Sequence, residues 1–237
     1  MGNLNPTQRI SDVIQQMEDR RYQLPSIQRP FVWEEEQILR LLDSLMCSYP
    51  IGAVMAWKPS DKIPCRPFME NYNSGDRLLS QLPLPSDDQA HMILDGQQRL
   101  QSLFLAFKGR YNGERMYLRI DRLADAGESN LHYEFDFLPD SEAAADLAWV
   151  HINELLKLKV KDINQFVKKR LGDNAPHDVL DNAFEIISTF VQEFAMDQSL
   201  LFQEVDEGLD YNHVLEVFER VNSGGTKLSK SDLPFLS

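Results

Sequence analysis

Apolar positions recur at helical spacing in two stretches near the start of the chain. In residues 7–19, Ile10, Val13, Ile14 and Met17 share one face, with Thr7 or Ser11 placed to cap the first turn. In residues 34–48, Ile38, Leu41, Leu42, Leu45 and Met46 form a stripe behind an acidic first turn, which suits the helix dipole. Between them lies YQLPSIQRPFVW, whose prolines forbid a helix. Pro50 ends the second helix, and IGAVMAW (51–57) reads as a buried strand. Residues 58–90 read as a surface excursion rich in Pro, Ser, Asp and Asn.

Next comes MILDGQQRLQSLFLAF (92–107), an apolar run that breaks at Asp-Gly and resumes as a helix, closed by Gly109. Residues 115–121 and 131–137 alternate apolar and polar, which predicts two strands and a hairpin across 122–130. From Ser141 to about Asp197 the pattern is helical, in three pieces parted near Val160 and near 172–176. SLLFQEVD (199–206) predicts one more strand. Residues 211–225 predict a helix with Val214, Val217 or Phe218, and Val221 facing inward. The order predicts an α+β fold with a mixed sheet. A core over 1–140 is followed by a helical lobe over 141–198 and a returning segment over 199–237. The chain stops just after Ser229-x-x-Asp232, a capping pattern that opens a helix, so the sequence is expected to be the front part of a longer protein.

Charge narrows the functional classes. The net charge of −13 lies wholly in the second half, because residues 1–120 carry 14 basic and 14 acidic side chains and residues 121–237 carry 10 and 23. Phosphate contacts supply most non-specific DNA affinity, so any nucleic-acid contact must be local. The one basic run holds Lys157, Lys159, Lys161, Lys168, Lys169 and Arg170. It reads first as a solvated helical face, and otherwise as a DNA contact. Cys47 and Cys65 form no metal or disulfide framework and suit a reducing cytoplasm. No signal core or membrane-length apolar run is present. The five histidines are isolated, so zinc is not expected.

Three constellations carry candidate chemistry. At Asp95–Arg99, Gly96 permits a sharp turn, and the following helix directs free N–H groups at whatever precedes it, which favours an anion. Arg99 adds a fork suited to phosphate oxygens. Asp95 can hold a magnesium ion through water or accept a proton from water, and Gln97 or Gln98 can orient that water. These are the parts phosphoryl transfer needs. The plain alternative is a turn followed by a solvated helix start. In SIQRPFVWEEEQ (26–37), Gln28 and Arg29 sit on a rigid extended segment, with Phe31 and Trp33 as core or as stacking faces. In ERVNSGGTKLS (219–229), Asn222, Ser223, Gly224, Gly225, Thr226 and Lys227 offer an anion nest, although locally a glycine C-cap accounts for them.

QRPFVW (28–33), PIGAVMAW (50–57), LDGQQRLQSL (94–103) and FERVNSGGTKLSKSDL (218–233) together resemble the DGQQR-motif domain. That domain forms the N-terminal half of GmrSD-type modification-dependent restriction and phage-defence proteins. The resemblance implies a ParB/sulfiredoxin-like fold with a helical lobe. It implies binding and hydrolysis of a nucleoside triphosphate, GTP or ATP, with Mg²⁺ at Asp95. Asp95, Gln97, Gln98 and Arg99 would carry the chemistry. Gly96 would bind the nucleotide, Gln28 and Arg29 would line the same or an adjoining pocket, and the Asn222-to-Gly225 loop with Lys227 would close it. It further implies modified DNA as a partner, an HNH-type nuclease domain in cis or in a partner, and compatibility with a homo-oligomer. The alternative is a DNA-sensing or protein-interaction module without catalysis that positions a separate nuclease.

Overall fold

The computed structural model describes residues 4–26, 28–75, 84–86, 90–125 and 130–205, together with 209, 213, 214, 216, 217 and 220. It is a mixed α+β structure. The first element is a short strand, β1 (Thr7–Gln8), followed by helix α1 (Ile10–Glu18), which buries Ile10, Val13, Ile14 and Met17 as the spacing requires. Its N-cap is Arg9 rather than Thr7 or Ser11, because Thr7 is taken into the strand. There its hydroxyl donates to Gln198 Oε1 at 2.8 Å. Strand β2 (Tyr22–Pro25) and helix α2 (Glu35–Met46) follow. The side chain of Gln37 folds back to accept the Glu34 N–H at 3.0 Å, which starts α2 cleanly.

Strands β3 (Val54–Trp57), β4 (Pro64–Arg66), β5 (Asn71–Tyr72), β6 (Leu84–Pro85) and β7 (His91–Asp95) lead into helix α3 (Gln97–Lys108). The predicted excursion 58–90 therefore contributes strands. Its prolines are tolerated there because Pro85 lies in β6, the edge strand, and Pro64 is the first residue of β4, places where a missing N–H costs little. Strand β12 (Leu200–Val205) returns to complete a seven-stranded sheet in the order β1-β12-β3-β7-β2-β4-β6. Here β7 lies between antiparallel β3 and parallel β2, and β12 runs parallel to β3. Side chains alternate as a two-residue period demands. Val54, Ala56 and Ile93 enter the main core, and Trp57, Met92 and Leu94 enter a smaller cluster with Ile63, Cys65, Ala90 and Val214.

A second sheet places β9 (Arg115–Arg119) between β10 (Phe135–Leu138) and β11 (Trp149–His151), antiparallel to both. The predicted hairpin is therefore present as β9 and β10. Strand β8 (Arg110–Tyr111) pairs with β5. The stretch from Ser141 holds helices α4 (Asp140–Ala145), α5 (Ile152–Leu155), α6 (Ile163–Leu171) and α7 (His177–Val191), and a π turn Gln192–Met196. Strand β11 interrupts that helical run. Trp149, Ile152 and Leu155 keep a helical spacing across the strand–helix joint, and the strand is too short for its own period to show. The helices share the main core, where Phe107 of α3 meets Phe190 and Phe194. Among the described residues no helix is long and apolar enough to cross a membrane.

Where α2 meets β10, the Glu35 and Asp136 carboxyls share a hydrogen bond. Burial first, and then mutual repulsion with help from Glu114, pushes Glu35 above its usual 4.5. Burial is the main reason that Asp136 lies above 3.8. A carboxyl raised by folding binds protons more readily in the native state, so its contribution to stability is full at acid pH. That contribution declines as pH rises through the raised value. Glu35→Gln keeps a donor toward Asp136 and removes one charge. It is expected to melt a few degrees above wild type at pH 7, with the gap closing toward pH 4.5. Thermal melts across that window check this, and a gap that widens toward acid would be the wrong sign.

Candidate functional site

The joint between β7 and α3 is built around two local distortions. In the β3–β7 ladder Met55 faces Asp95 and Ala56 faces Ile93, so Leu94 is an extra residue, a bulge that re-aims the end of the strand. Gly96 then takes φ +86, and no side chain caps the helix. A Cβ at Gly96 would lie 3.1 Å from both Arg99 Nη2 and Val54 Cγ2, so glycine is required by conformation and by space. The first-turn N–H groups of α3 have no intrahelical acceptors. A cleft of ≈ 150 Å³ opens at this helix start, lined by Arg29, Trp33, Leu94, Asp95, Gly96, Gln97, Gln98 and Arg99.

The polar side chains divide into two groups. Gln98 is buried, and both ends of its amide are used: Nε2 donates to Pro30 O at 3.1 Å, and Oε1 accepts the Val32 N–H at 3.0 Å. It holds the 30–32 segment in place as a neighbouring strand would. Gln101, one turn further along α3, does the same for Met69, accepting from its N–H and donating to its carbonyl, each at 2.9 Å. Gln28 is buried and donates to the carbonyls of Ile93 and Leu94, while its Oε1 has no hydrogen-bond partner.

Arg99 belongs with this first group. Its guanidinium donates to Ile51 O, to Ala53 O at 2.9 Å and to Asp95 Oδ2 at 3.4 Å. Gly52, at φ +81, lies so close that a Cβ there would sit 2.9 Å from Nη1. Burial lowers the Arg99 pKa, and the Asp95 charge partly restores it. The fork expected to grip phosphate thus grips the 51–53 loop.

The second group faces the cleft with fewer ties. Asp95 is 41% exposed and has Arg99 as its ion-pair partner. Gln97 is half-buried, and Arg29 is exposed. Trp33 lines the cleft, whereas Phe31 is buried edge-on against Tyr72, with ring centroids 5.0 Å apart. Asn222, Ser223, Gly224, Gly225, Thr226 and Lys227 lie outside the described residues. Lys157, Lys159, Lys161, Lys168 and Lys169 are exposed, and none of them lines the cleft. Arg170 is tied down, donating to Leu147 O at 3.0 Å and Trp149 O at 2.6 Å.

Among the described residues no three His, Cys, Asp or Glu side chains gather to hold a metal. Among the described residues the cleft offers one carboxylate, Asp95, a donor set that would fit a largely hydrated Mg²⁺ and not an all-protein metal cage. Sequence reasoning missed Gln101, Gly52 and Arg66. Gln101 had a signal, as an amide three residues from Gln98 on an otherwise apolar helix face. Arg66, alone in a proline-rich stretch, had none.

Comparison with known proteins gives two findings. The chain is 25% identical, over 249 aligned positions, to an uncharacterised protein of Methanocaldococcus jannaschii. The match covers 96% of this chain and 40% of that protein, so the chain spans well under half the length of this relative. Residues 10–234 match the family described as GmrSD restriction endonuclease, N-terminal domain. With that match over almost its whole length, the chain belongs to the GmrSD N-terminal domain family.

Proposed function

We propose that this domain binds a nucleoside triphosphate in the Asp95 cleft and hydrolyses its terminal anhydride, as the sensor and regulatory part of a DNA-modification-dependent restriction system. The observation that carries the reading is the convergence of the uncapped α3 start, Arg29, Gln97 and the half-exposed Asp95 carboxylate on one cleft. The α3 N–H groups and Arg29 bind phosphate oxygens, and Trp33 offers an apolar face beside them. Gln97 orients a water molecule, and Asp95 accepts its proton as the water oxygen bonds to the terminal phosphorus. The bond to the bridging oxygen breaks, releasing nucleoside diphosphate and phosphate. Asp95 would hold Mg²⁺, which when bound would neutralise charge on the terminal phosphates. Gln98 and Arg99 keep the walls in register. A ParB-like ancestry of the sheet and an HNH-type nuclease partner, in cis or in trans, complete the reading. Phosphate release from GTP and ATP with Mg²⁺ tests it. Absence of turnover with both nucleotides, with and without modified DNA, would favour a binding module.

The exposed lysines of residues 157–169 supply the DNA contact in this scheme, and Arg170, spent on backbone carbonyls, does not. Lys168→Ala/Lys169→Ala is expected to weaken duplex binding and flatten its salt dependence by roughly two counterions. An unchanged slope in a salt titration would remove this face from the interface.

A further inference from the structure

We propose that Arg66, together with Arg29, forms a second phosphate subsite beside the Asp95 cleft, so that the cleft takes a polyphosphate chain rather than a single anion. The inference rests on the nucleotide reading and deepens it. Arg66 ends β4 and donates through Nη2 to Gln28 O at 3.3 Å and Arg29 O at 3.0 Å. Its Nε is buried without a hydrogen-bond partner. Burial lowers the Arg66 pKa and among the described residues no carboxylate offsets it, whereas Arg99 has Asp95. A desolvated cation without an anion is unfavourable, and a bound phosphate relieves that directly.

Position supports the same assignment. Arg66 lines a hollow of ≈ 10 Å³ whose walls include Arg29, Gln97 and Gln98, and all three of those residues also line the Asp95 cleft. The two spaces therefore adjoin. Such a hollow has room for about one water-sized atom, so it admits a phosphate oxygen and not the flank of a duplex. Across both spaces the charged residues, among those described, are Arg29, Arg66 and Arg99 against Asp95. In a chain of net charge −13, that is a local positive excess where the helix start already favours anions.

The test is calorimetric titration of the 237-residue chain with inorganic tripolyphosphate and with orthophosphate, without added metal. Tripolyphosphate is expected to bind one-to-one and more tightly than orthophosphate. Arg66→Gln, which removes the charge and shortens the side chain, should weaken tripolyphosphate by about tenfold to a hundredfold and erase most of that preference. Arg66→Lys, which keeps the charge, should retain most of the affinity and the preference, and it decides the matter if Arg66→Gln melts far below wild type: a folded Arg66→Lys chain without the preference would overturn the subsite. Wild-type affinity in a folded Arg66→Gln chain would overturn the subsite. So would equal affinity for the two anions in the wild type. Displacement of tripolyphosphate by an unmodified duplex, with Arg66→Gln losing both ligands equally, would assign the arginines to DNA and also overturn it. Loss of tripolyphosphate binding in a chain that never turns over GTP or ATP would keep the subsite and remove hydrolysis. Turnover with unchanged Arg66→Gln binding would do the reverse.

Discussion

Asp95→Asn is expected to lower phosphate release by about 10²- to 10⁴-fold while leaving metal-free nucleotide affinity and melting behaviour near those of wild type. The substitution preserves shape and removes both the ability to take a proton from water and the charge that would hold Mg²⁺, so affinity is compared without added metal. Little structure depends on the carboxylate. Its contact with Arg99 is a long 3.4 Å, and Arg99 keeps its bonds to the loop carbonyls without it. Binding and turnover should therefore separate, binding followed by titration of a slowly hydrolysed analogue and turnover by released phosphate. An Asp95→Asn chain that hydrolyses at the wild-type rate would mean that some other group activates the water.

Arg99→Ala should fail differently. Removing the guanidinium leaves Ile51 O and Ala53 O without their donor and opens a gap against Gly52 and Gly96. Unpaired acceptors of this kind cost about 1–3 kcal/mol each, and these are partly wet, so a loss of about 2–4 kcal/mol is expected in urea melts. Turnover should fall with it, because the 51–53 loop loses its hold beside the cleft. Arg99→Lys should restore only part of the stability, since an ammonium cannot span the two carbonyls as a planar fork does. If Arg99→Ala abolished turnover without moving the melt, Arg99 would be a phosphate ligand and its positioning role would be wrong.

The contrast between these residues marks where sequence reasoning runs out. Local signals located the joint: an apolar strand, Asp-Gly, a run of polar residues, then a helix. They also gave α1, α2, α3, β9, β12 and the breaks near Val160 and 172–176, because each rests on periodicity or on Pro and Gly within a few residues. What each polar residue touches depends on partners dozens of positions away. Gln98 reaches Pro30 across 68 positions, and Arg99 reaches Ile51 across 48. An amide that orients water and an amide that braces a chain look the same in a sequence. The bulge at Leu94, which aims Asp95, is likewise a property of the pairing with β3 and not of either strand alone.

The pairing of β12 with β3 has a consequence during synthesis. Strand β3 ends at Trp57 and its neighbour begins at Leu200, so roughly 140 residues must be translated before that side of the sheet is covered. At about 5–20 residues per second this is an interval of about 7–30 s. Throughout it the nascent chain holds an open strand edge at Val54–Trp57, immediately beside the strand that carries Asp95. The loop gripped by Arg99 is therefore attached to a strand that is among the last to gain its second neighbour. A ribosome stalled before residue 200 should present this edge to chaperones, and one stalled well past Val205 should not.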